Sequence, residues 1–148
     1  MIVNQQTAAQ KKVDELYATL GRRRGASPFG SCPVNLTASF VQLCLAQSCG
    51  KCVPCREGTK RMLEILERIV AGNGKPSDMD ELRELADMIE STALCGLGKS
   101  APKPVISTMN AFEEEYLEHI NEKRCRTGVC SNLRKFQIDP EICKGCSK

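Results

Sequence analysis

The sequence predicts a mainly α-helical protein, a small helical bundle followed by an irregular, cysteine-rich tail. With 148 residues, the chain is of single-domain size. It contains no Trp, two Tyr and four Phe, so Leu, Ile, Met and Ala must supply most of the core, and these residues suit helices better than sheets. Several segments also repeat apolar residues at helical intervals.

Residues 1–30 are predicted to hold an N-terminal helix and a linker. The segment 7–21 spaces its apolar residues at helical intervals and ends at Gly21. Its apolar stripe is narrow, so we expect this helix to dock on another surface. A connector rich in Gly, Pro and Ser follows, with three successive arginines at 22–24. A solvated basic linker is the simpler interpretation of the arginines, and a patch that docks a partner is the alternative.

Residues 31–122 are predicted to form the helical domain, which begins with two helices. Residues 35–47 form a short apolar helix whose buried positions include Phe40, Leu43 and Cys44. After a cysteine loop comes a strongly amphipathic helix, which ends at the Gly-Asn-Gly of 72–74 because both residue types tolerate the left-handed conformation. The apolar stripe of this second helix consists of Met62, Leu63, Leu66, Ile69 and Val70.

Two further helices complete the predicted domain. Ser77 is the expected N-cap of the third helix, with Asp78 and Asp80 near the positive end of its dipole. The apolar stripe of the third helix consists of Met79, Leu82, Leu85, Ala86 and Ile89. A turn rich in Gly and Pro leads to one more helix, and its apolar positions are Val105, Met109, Phe112, Tyr116 and Ile120. The remaining residues, 123–148, form the turn-rich tail.

The ten cysteines are the most unusual feature of the composition. Disulfides belong to oxidising compartments, but the N-terminus shows no apolar segment of secretory length, and no run approaches the ~18 apolar residues of a membrane span. We therefore expect a cytoplasmic protein without a membrane span, whose clustered cysteines bind metal. The formal charge of +3 gives no indication of nucleic-acid binding.

The stretch SCGKCVPCREG carries three cysteines, Cys49, Cys52 and Cys55, at three-residue intervals. This spacing lets three thiolates converge on one face of a cubane cluster, whereas a zinc site more typically uses separated pairs. A four-thiolate cluster needs one more cysteine. We assign Cys95, because it follows two antiparallel helices and its neighbouring glycines let the backbone approach a cluster. The alternative is that Cys95 is an ordinary buried thiol.

The string SCGKCVPCREGTKRMLEIL, followed later by ALCGLGKSAPKPV, closely resembles the C-terminal iron–sulfur region of the NADH-binding flavoprotein subunit of NADH–quinone oxidoreductases. The corresponding subunits of NAD-linked, electron-bifurcating hydrogenases and formate dehydrogenases are more similar still. The resemblance runs from Gly30 to Cys146. It implies a four-helix domain in which Cys49, Cys52, Cys55 and Cys95 bind a [4Fe–4S] cluster that relays electrons to or from flavin.

In that family the helical region follows a larger portion that binds FMN and NAD(H). Residues 1–30 contain no dinucleotide-binding fingerprint. We therefore expect a relay module rather than a complete enzyme, in a heteromeric complex with a flavin- and NAD(P)-binding subunit and other iron–sulfur subunits. The N-terminal helix and its arginines are a candidate docking arm.

A second metal site is predicted around the only histidine. His119, Cys125 and Cys130 form an H-x5-C-x4-C pattern, and mixed nitrogen and sulfur ligands suit tetrahedral zinc. The pattern, together with an upstream cysteine at the position of Cys32, resembles a zinc site in the hydrogenase-type relatives. We expect these four residues to hold a structural zinc. The alternative is a surface histidine beside unremarkable thiols.

A competing partition pairs Cys125 and Cys130 with Cys143 and Cys146 as one ribbon-like site and leaves the histidine free. Against this partition, the segment IDPEICKGCSK resembles the opening of a ferredoxin module that stops after two ligands. The role of Cys143 and Cys146 is left undecided. Cys44 has apolar helical neighbours and is expected to pack in the core.

Three functions follow from these residues. The preferred one is an electron-transfer subunit that relays single electrons within an NAD(P)H-linked oxidoreductase complex, which requires no acid–base catalyst or nucleophile. The second is a structural assembly subunit in which every cysteine site holds zinc and no redox role exists. The third is a complete flavoenzyme, which would bind FMN and oxidise NADH by itself.

Overall fold

The computed structural model describes residues 31–134, which are helical and contain no β-strand. The predicted helix at 7–21, the arginines at 22–24, and Cys143 and Cys146 lie outside the described residues. The longest helices in the described part have 15 residues, and none of them is long and apolar enough to cross a membrane.

Helices and short helical turns follow one another with brief connections. The helices are α1 (Pro33–Gln47), α2 (Thr59–Val70), α3 (Asp78–Thr92), α4 (Gly96–Ser100), α5 (Lys103–Ala111) and α6 (Glu113–Leu117). A π-helical turn, Pro54–Gly58, leads directly into α2, and a second π-helical turn, Glu118–Glu122, continues α6. A 3₁₀ turn at Ser131–Leu133 lies near the end of the described chain.

Four of these helices pack as a bundle. Helix α1 contacts α2, α2 contacts α3, α3 contacts α5, and α5 contacts α1, so the four helices enclose one core. The prediction of a mainly α protein with a four-helix domain is confirmed. The core is aliphatic rather than aromatic, as the composition indicated. Its fully buried side chains include Val34, Val41, Met62, Ile65, Leu66, Ile69, Leu82, Ile89, Val105, Met109 and Tyr116.

The predicted buried positions hold for the amphipathic helices better than for α1. Phe40 and Cys44 are buried, but the expectation for Leu43 was wrong, because its side chain is 39% exposed. Helix α1 is apolar on most of its surface, so residue type alone does not identify its buried face. In α2, Ile65 is fully buried although the predicted stripe omitted it, and Val70 is only partly buried.

The connection between α2 and α3 is tied by a buried carboxylate. Helix α2 ends at Val70, just before the predicted stop at Gly72, which has a φ of +84°. Ser77 is the N-cap residue of α3, as predicted, but its side chain forms no capping hydrogen bond. Asp78, which is fully buried, instead accepts a hydrogen bond from the Lys75 N–H at 2.9 Å and pairs with the Arg68 guanidinium. Charge pairing rather than capping therefore holds this corner.

The last predicted helix is broken. Phe112 has a φ of −132° and a ψ of 37°, which lie outside the helical range, and it separates α5 from α6. Apolar spacing did not reveal this break, because Tyr116 and Ile120 beyond it remain buried. The second π-helical turn then ends at Lys123 in the left-handed conformation, with a φ of 52°. His119, which lies between these two changes of direction, is 1% exposed.

Candidate metal centres

The three-cysteine loop connects α1 to α2. Helix α1 ends at Gln47, and the chain turns at Gly50, which has a φ of +69°. Cys49 and Cys52 lie in this connection, before the π-helical turn. Cys55 lies within that turn and is buried, Cys52 is partly buried, and Cys49 is exposed. The loop therefore presents its sulfurs across the boundary between core and solvent.

Helix α3 returns the chain to this loop. Arg68 near the end of α2 meets Asp78 at the start of α3, and the backbone before α2 at Gly58 packs closely on Ile89 near the end of α3. The two helices are therefore antiparallel. The turn that follows α3 carries Cys95, which is exposed.

Close contacts show how near this returning turn lies to the loop. The Leu94 backbone lies close enough to the Cys52 thiol to lower its pKa. A β-carbon placed on Gly98 would lie 3.5 Å from the Cys55 Sγ and 2.7 Å from the Ala93 β-carbon. Only glycine fits at position 98 without displacing the turn. The structure thus brings Cys95, between Leu94 and Gly98, to the same end of the bundle as the three-cysteine loop.

These four cysteines fit a four-thiolate cluster in their chemistry and surroundings. All four are free thiols. The pKa of Cys52 is lowered by the backbone hydrogen bonds of Leu94 and Cys55, which favours the thiolate that binds metal. A β-carbon on Gly50 or Gly96 would meet no atom within 4 Å, so there is open space beside the loop and beside the turn. The assignment of the four ligands stays a prediction.

A second set of metal-binding side chains lies elsewhere in the bundle. The ligand atoms of Cys32, His119, Cys125 and Cys130 all lie within 4.8 Å of one another, and all four residues are buried. The His119 Nε2 is 3.3 Å from the Cys32 Sγ and 3.6 Å from the Cys130 Sγ. Within residues 31–134, no other group of three or more such side chains converges in this way.

Separate elements supply these four residues. Cys32 directly precedes α1, and His119 lies in the second π-helical turn. Cys125 and Cys130 lie on either side of a turn at Gly128, which has a φ of +66°. The loop is held against the bundle because Leu133, just beyond it, packs on Gly72 at the end of α2. Residues far apart in sequence are therefore joined at one buried point.

Hydrogen bonds and charge couple the protonation of these four side chains. The His119 Nδ1 is 2.6 Å from the Glu115 carbonyl oxygen, which can only accept, so Nδ1 carries the proton and Nε2 faces the sulfurs. The hydrogen bond from Cys130 outweighs burial and, with that of His119, lowers the pKa of Cys32 to about 4. Burial lowers the pKa of His119, but the hydrogen bond and charge of Cys32, together with the Glu115 backbone and Cys125, outweigh burial and raise this pKa to about 9. A metal ion that binds these residues would displace the protons that they share.

The geometry excludes one of the sequence-based alternatives. His119 is 1% exposed, so the alternative of a surface histidine was wrong. Cys125 and Cys130 lie with Cys32 and His119, as the zinc hypothesis requires, whereas Cys143 and Cys146 are outside the described residues. Cys44 is buried as expected, and burial raises the pKa of its thiol to about 11.

The Ser48 hydroxyl oxygen is 3.2 Å from the Cys55 Sγ, a contact that was not predicted from the sequence. The available signal was the position of Ser48 directly before the first cysteine of the loop. The Glu115 carbonyl group, which orients the His119 ring, was not predicted either. Residue type does not reveal a backbone acceptor, because every residue carries a carbonyl group.

Comparison with known proteins identifies the helical region. Residues 35–119 match the family model of the NADH-ubiquinone oxidoreductase-F iron–sulfur binding region, which binds a [4Fe–4S] cluster. The predicted cofactor class is therefore confirmed. This match contains the three-cysteine loop, Cys95 and His119, but not Cys32, Cys125 or Cys130.

Individual relatives agree with the family match. The chain is 45% identical over 115 residues to the NADP-reducing hydrogenase subunit HndC of Solidesulfovibrio fructosivorans, covering 78% of this chain and 24% of that protein. It is 40% identical to the mitochondrial NADH dehydrogenase (ubiquinone) flavoprotein 1 of Dictyostelium discoideum, covering 51% and 16%. It is also 40% identical to the NADP(+)-dependent formate dehydrogenase subunit beta of Moorella thermoacetica, covering 51% and 11%. The chain thus spans a quarter or less of the length of each of these relatives.

Proposed function

Because the chain belongs to the family of NADH-ubiquinone oxidoreductase-F iron–sulfur binding regions, we propose that it relays single electrons within a multisubunit NAD(P)H-linked oxidoreductase, as an electron-transfer module. The observation that carries this proposal is the close approach of the turn around Cys95 to Cys52 and Cys55. That approach supports Cys95 as the fourth ligand beside the three thiols of the loop.

In this proposal Cys49, Cys52, Cys55 and Cys95 are the ligands. A [4Fe–4S] cluster supplies reversible one-electron chemistry at a potential set by net charge, hydrogen bonds and solvent exposure. The chain supplies the ligands and their surroundings. Helices α2 and α3 fix the separation of loop and turn, Cys55 lies against the core, and the exposed Cys49 and Cys95 leave one side open.

The open side is where we expect electrons to enter and leave. Leu94 is 84% exposed and Val53 is 58% exposed, and both directly adjoin proposed ligands. Apolar side chains beside a redox centre allow a partner to approach closely and exclude water from the contact. We propose that the partners are a flavin- and NAD(P)-binding unit and another iron–sulfur subunit in a hetero-oligomeric complex. The names of the relatives, all of them pyridine-nucleotide-linked enzymes, support this choice.

We further propose that Cys32, His119, Cys125 and Cys130 hold a structural zinc. Three thiolates and one imidazole suit a closed tetrahedral zinc site, and burial of all four ligands leaves no open position for a substrate. The metal would tie the start of α1 to the first part of the predicted tail. The division of the chain at 30/31 and 122/123 remains a prediction.

Metal analysis tests both assignments. The chain, purified or reconstituted without oxygen, is expected to contain iron and acid-labile sulfide in equal amounts, together with about one zinc. Its broad visible absorbance should bleach on reduction. Cys52→Ser should lose the iron but retain the zinc, whereas Cys44→Ala, which changes a buried thiol outside both sites, should retain both metals.

Three results would contradict the proposal. A colourless chain that contains zinc and no iron after anaerobic reconstitution would support the structural alternative. Unchanged iron in the Cys52→Ser variant would refute the ligand set. Bound FMN with NADH oxidation by the isolated chain would favour a complete flavoenzyme over a relay.

A further inference from the structure

We propose that the Ser48 hydroxyl donates a hydrogen bond to the Cys55 sulfur and thereby raises the reduction potential of the iron–sulfur centre. This inference rests on the proposed function, because it requires Cys55 to be a cluster ligand. It assigns to Ser48 a positioning and tuning role that the cysteine pattern does not contain.

The geometry directs the Ser48 hydroxyl at the cysteine loop. Ser48 directly follows α1, and its backbone N–H, rather than its side chain, bonds to the Leu45 carbonyl at 3.2 Å. The side chain points towards the loop, with Oγ 3.2 Å from the Cys55 Sγ. The Gly50 N–H donates to the same Oγ at 3.2 Å. Because Gly50 has a φ of +69°, the loop turns back so that this amide reaches the hydroxyl.

The direction of each hydrogen bond follows from the chemistry of the groups. A backbone N–H can only donate, so the Ser48 oxygen accepts from Gly50. A thiolate that binds iron has no proton and can only accept, so the remaining hydroxyl proton of Ser48 points to the Cys55 sulfur. The contacts form a chain from Gly50 through Ser48 to Cys55 in which each bond polarises the next.

Burial makes this hydrogen bond difficult to replace. Cys55 is 5% exposed, so water has little access to its sulfur, whereas the sulfurs of the exposed Cys49 and Cys95 can be solvated directly. Reduction adds one negative charge to the centre. A donor aimed at a ligand sulfur stabilises the reduced form more than the oxidised form and makes the potential more positive. Removal of the hydroxyl should therefore shift the potential to a more negative value.

The test compares four forms of the chain at position 48. Ser48→Ala removes the hydroxyl, and the pair Ser48→Thr and Ser48→Val differs in the hydroxyl while keeping nearly the same shape. Val also fills the space that water would occupy in the Ala variant. Each form is loaded anaerobically, its iron and sulfide are measured, and its midpoint potential is determined by spectroscopic redox titration. Ser39→Ala serves as the control, because its hydroxyl is exposed and bonds to the Asn35 carbonyl within α1.

We expect the Thr and Ser39→Ala variants to keep the wild-type potential and the Ala and Val variants to shift to more negative values. Loss of iron from the Ala and Val variants, with iron retained in Thr, also supports the contact, because the hydroxyl then holds the thiolate in place. Full iron with an unchanged potential in Ala and Val overturns the inference and leaves the relay function intact. Loss of iron from the Thr variant as well also overturns it, whereas a wild-type chain that takes up no cluster refutes the relay function.

Discussion

Substitution of Gly98 by Ala tests whether the close approach of the returning turn assembles the cluster site. The new β-carbon would lie 2.7 Å from the β-carbon of Ala93 and 3.5 Å from the β-carbon and sulfur of Cys55. A comfortable carbon–carbon contact is about 3.5–4.0 Å, so the turn and the end of α3 must separate by about 1 Å. Neither β-carbon can rotate away, since both are fixed to the backbone.

The expected cost is that of overpacking a core, about 1–3 kcal/mol. Because Cys95 lies three residues before Gly98 in the same turn, the shift should also move its thiol away from the other ligands. We expect a lower thermal midpoint in the metal-free chain, by about 2–4 °C for each kcal/mol. In the loaded chain we expect lower iron content and faster loss of iron to a chelator.

Gly96→Ala is the matched control, since Gly96 begins the same short helix α4 and a β-carbon there would meet no atom within 4 Å. Neither glycine has a positive φ, so both substitutions are free of backbone strain. Alanine at position 96 should leave stability unchanged or raise it by up to about 1 kcal/mol. Because Gly96 also borders the proposed cluster, this control applies to the metal-free chain, in which equal stability of the two variants would refute the close approach of α4 to the cysteine loop.

Three further predictions concern the rest of the chain. Asp78→Ala should lower the free energy of unfolding in urea by about 2–4 kcal/mol, because it removes a buried carboxylate that pairs with Arg68 and the Lys75 N–H. The control Asp80→Ala, which removes an exposed ion pair, should lower it by at most about 1 kcal/mol, and a similar loss of stability in both variants would contradict the prediction. Cys32→Ala should remove the zinc and lower the thermal midpoint while the iron content stays at the wild-type level, and loss of both metals together would show that the two sites are not independent. Leu94→Lys should slow electron exchange with the natural redox partner about tenfold, equivalent to ~1.4 kcal/mol. Iron content and thermal midpoint should stay unchanged because Leu94 is 84% exposed, and an unaltered rate would show that the partner docks elsewhere.

Local patterns in the sequence were sufficient for several features of the protein. The apolar stripes of α2 and α3 predicted both helices and most of their buried residues, because amphipathic helices reveal their buried face through a period of 3.6 residues. Helix α1 is apolar on most of its surface and lacks that contrast, and there the prediction for Leu43 was wrong. The three-residue spacing of Cys49, Cys52 and Cys55 predicted the cofactor class, since the spacing of thiols along the chain limits which clusters they can reach.

What the sequence determined by itself was therefore short-range: the helical class, the amphipathic faces and a loop with three thiols for a cluster. Only the tertiary structure decided which distant groups meet. It placed the turn after α3 against Cys55, broke the last helix at Phe112, and brought His119 to Cys32 across 87 positions of the chain. The physical reason is that such contacts depend on the packing of all the helices together and on single backbone angles, which the spacing of residues along one helix does not encode.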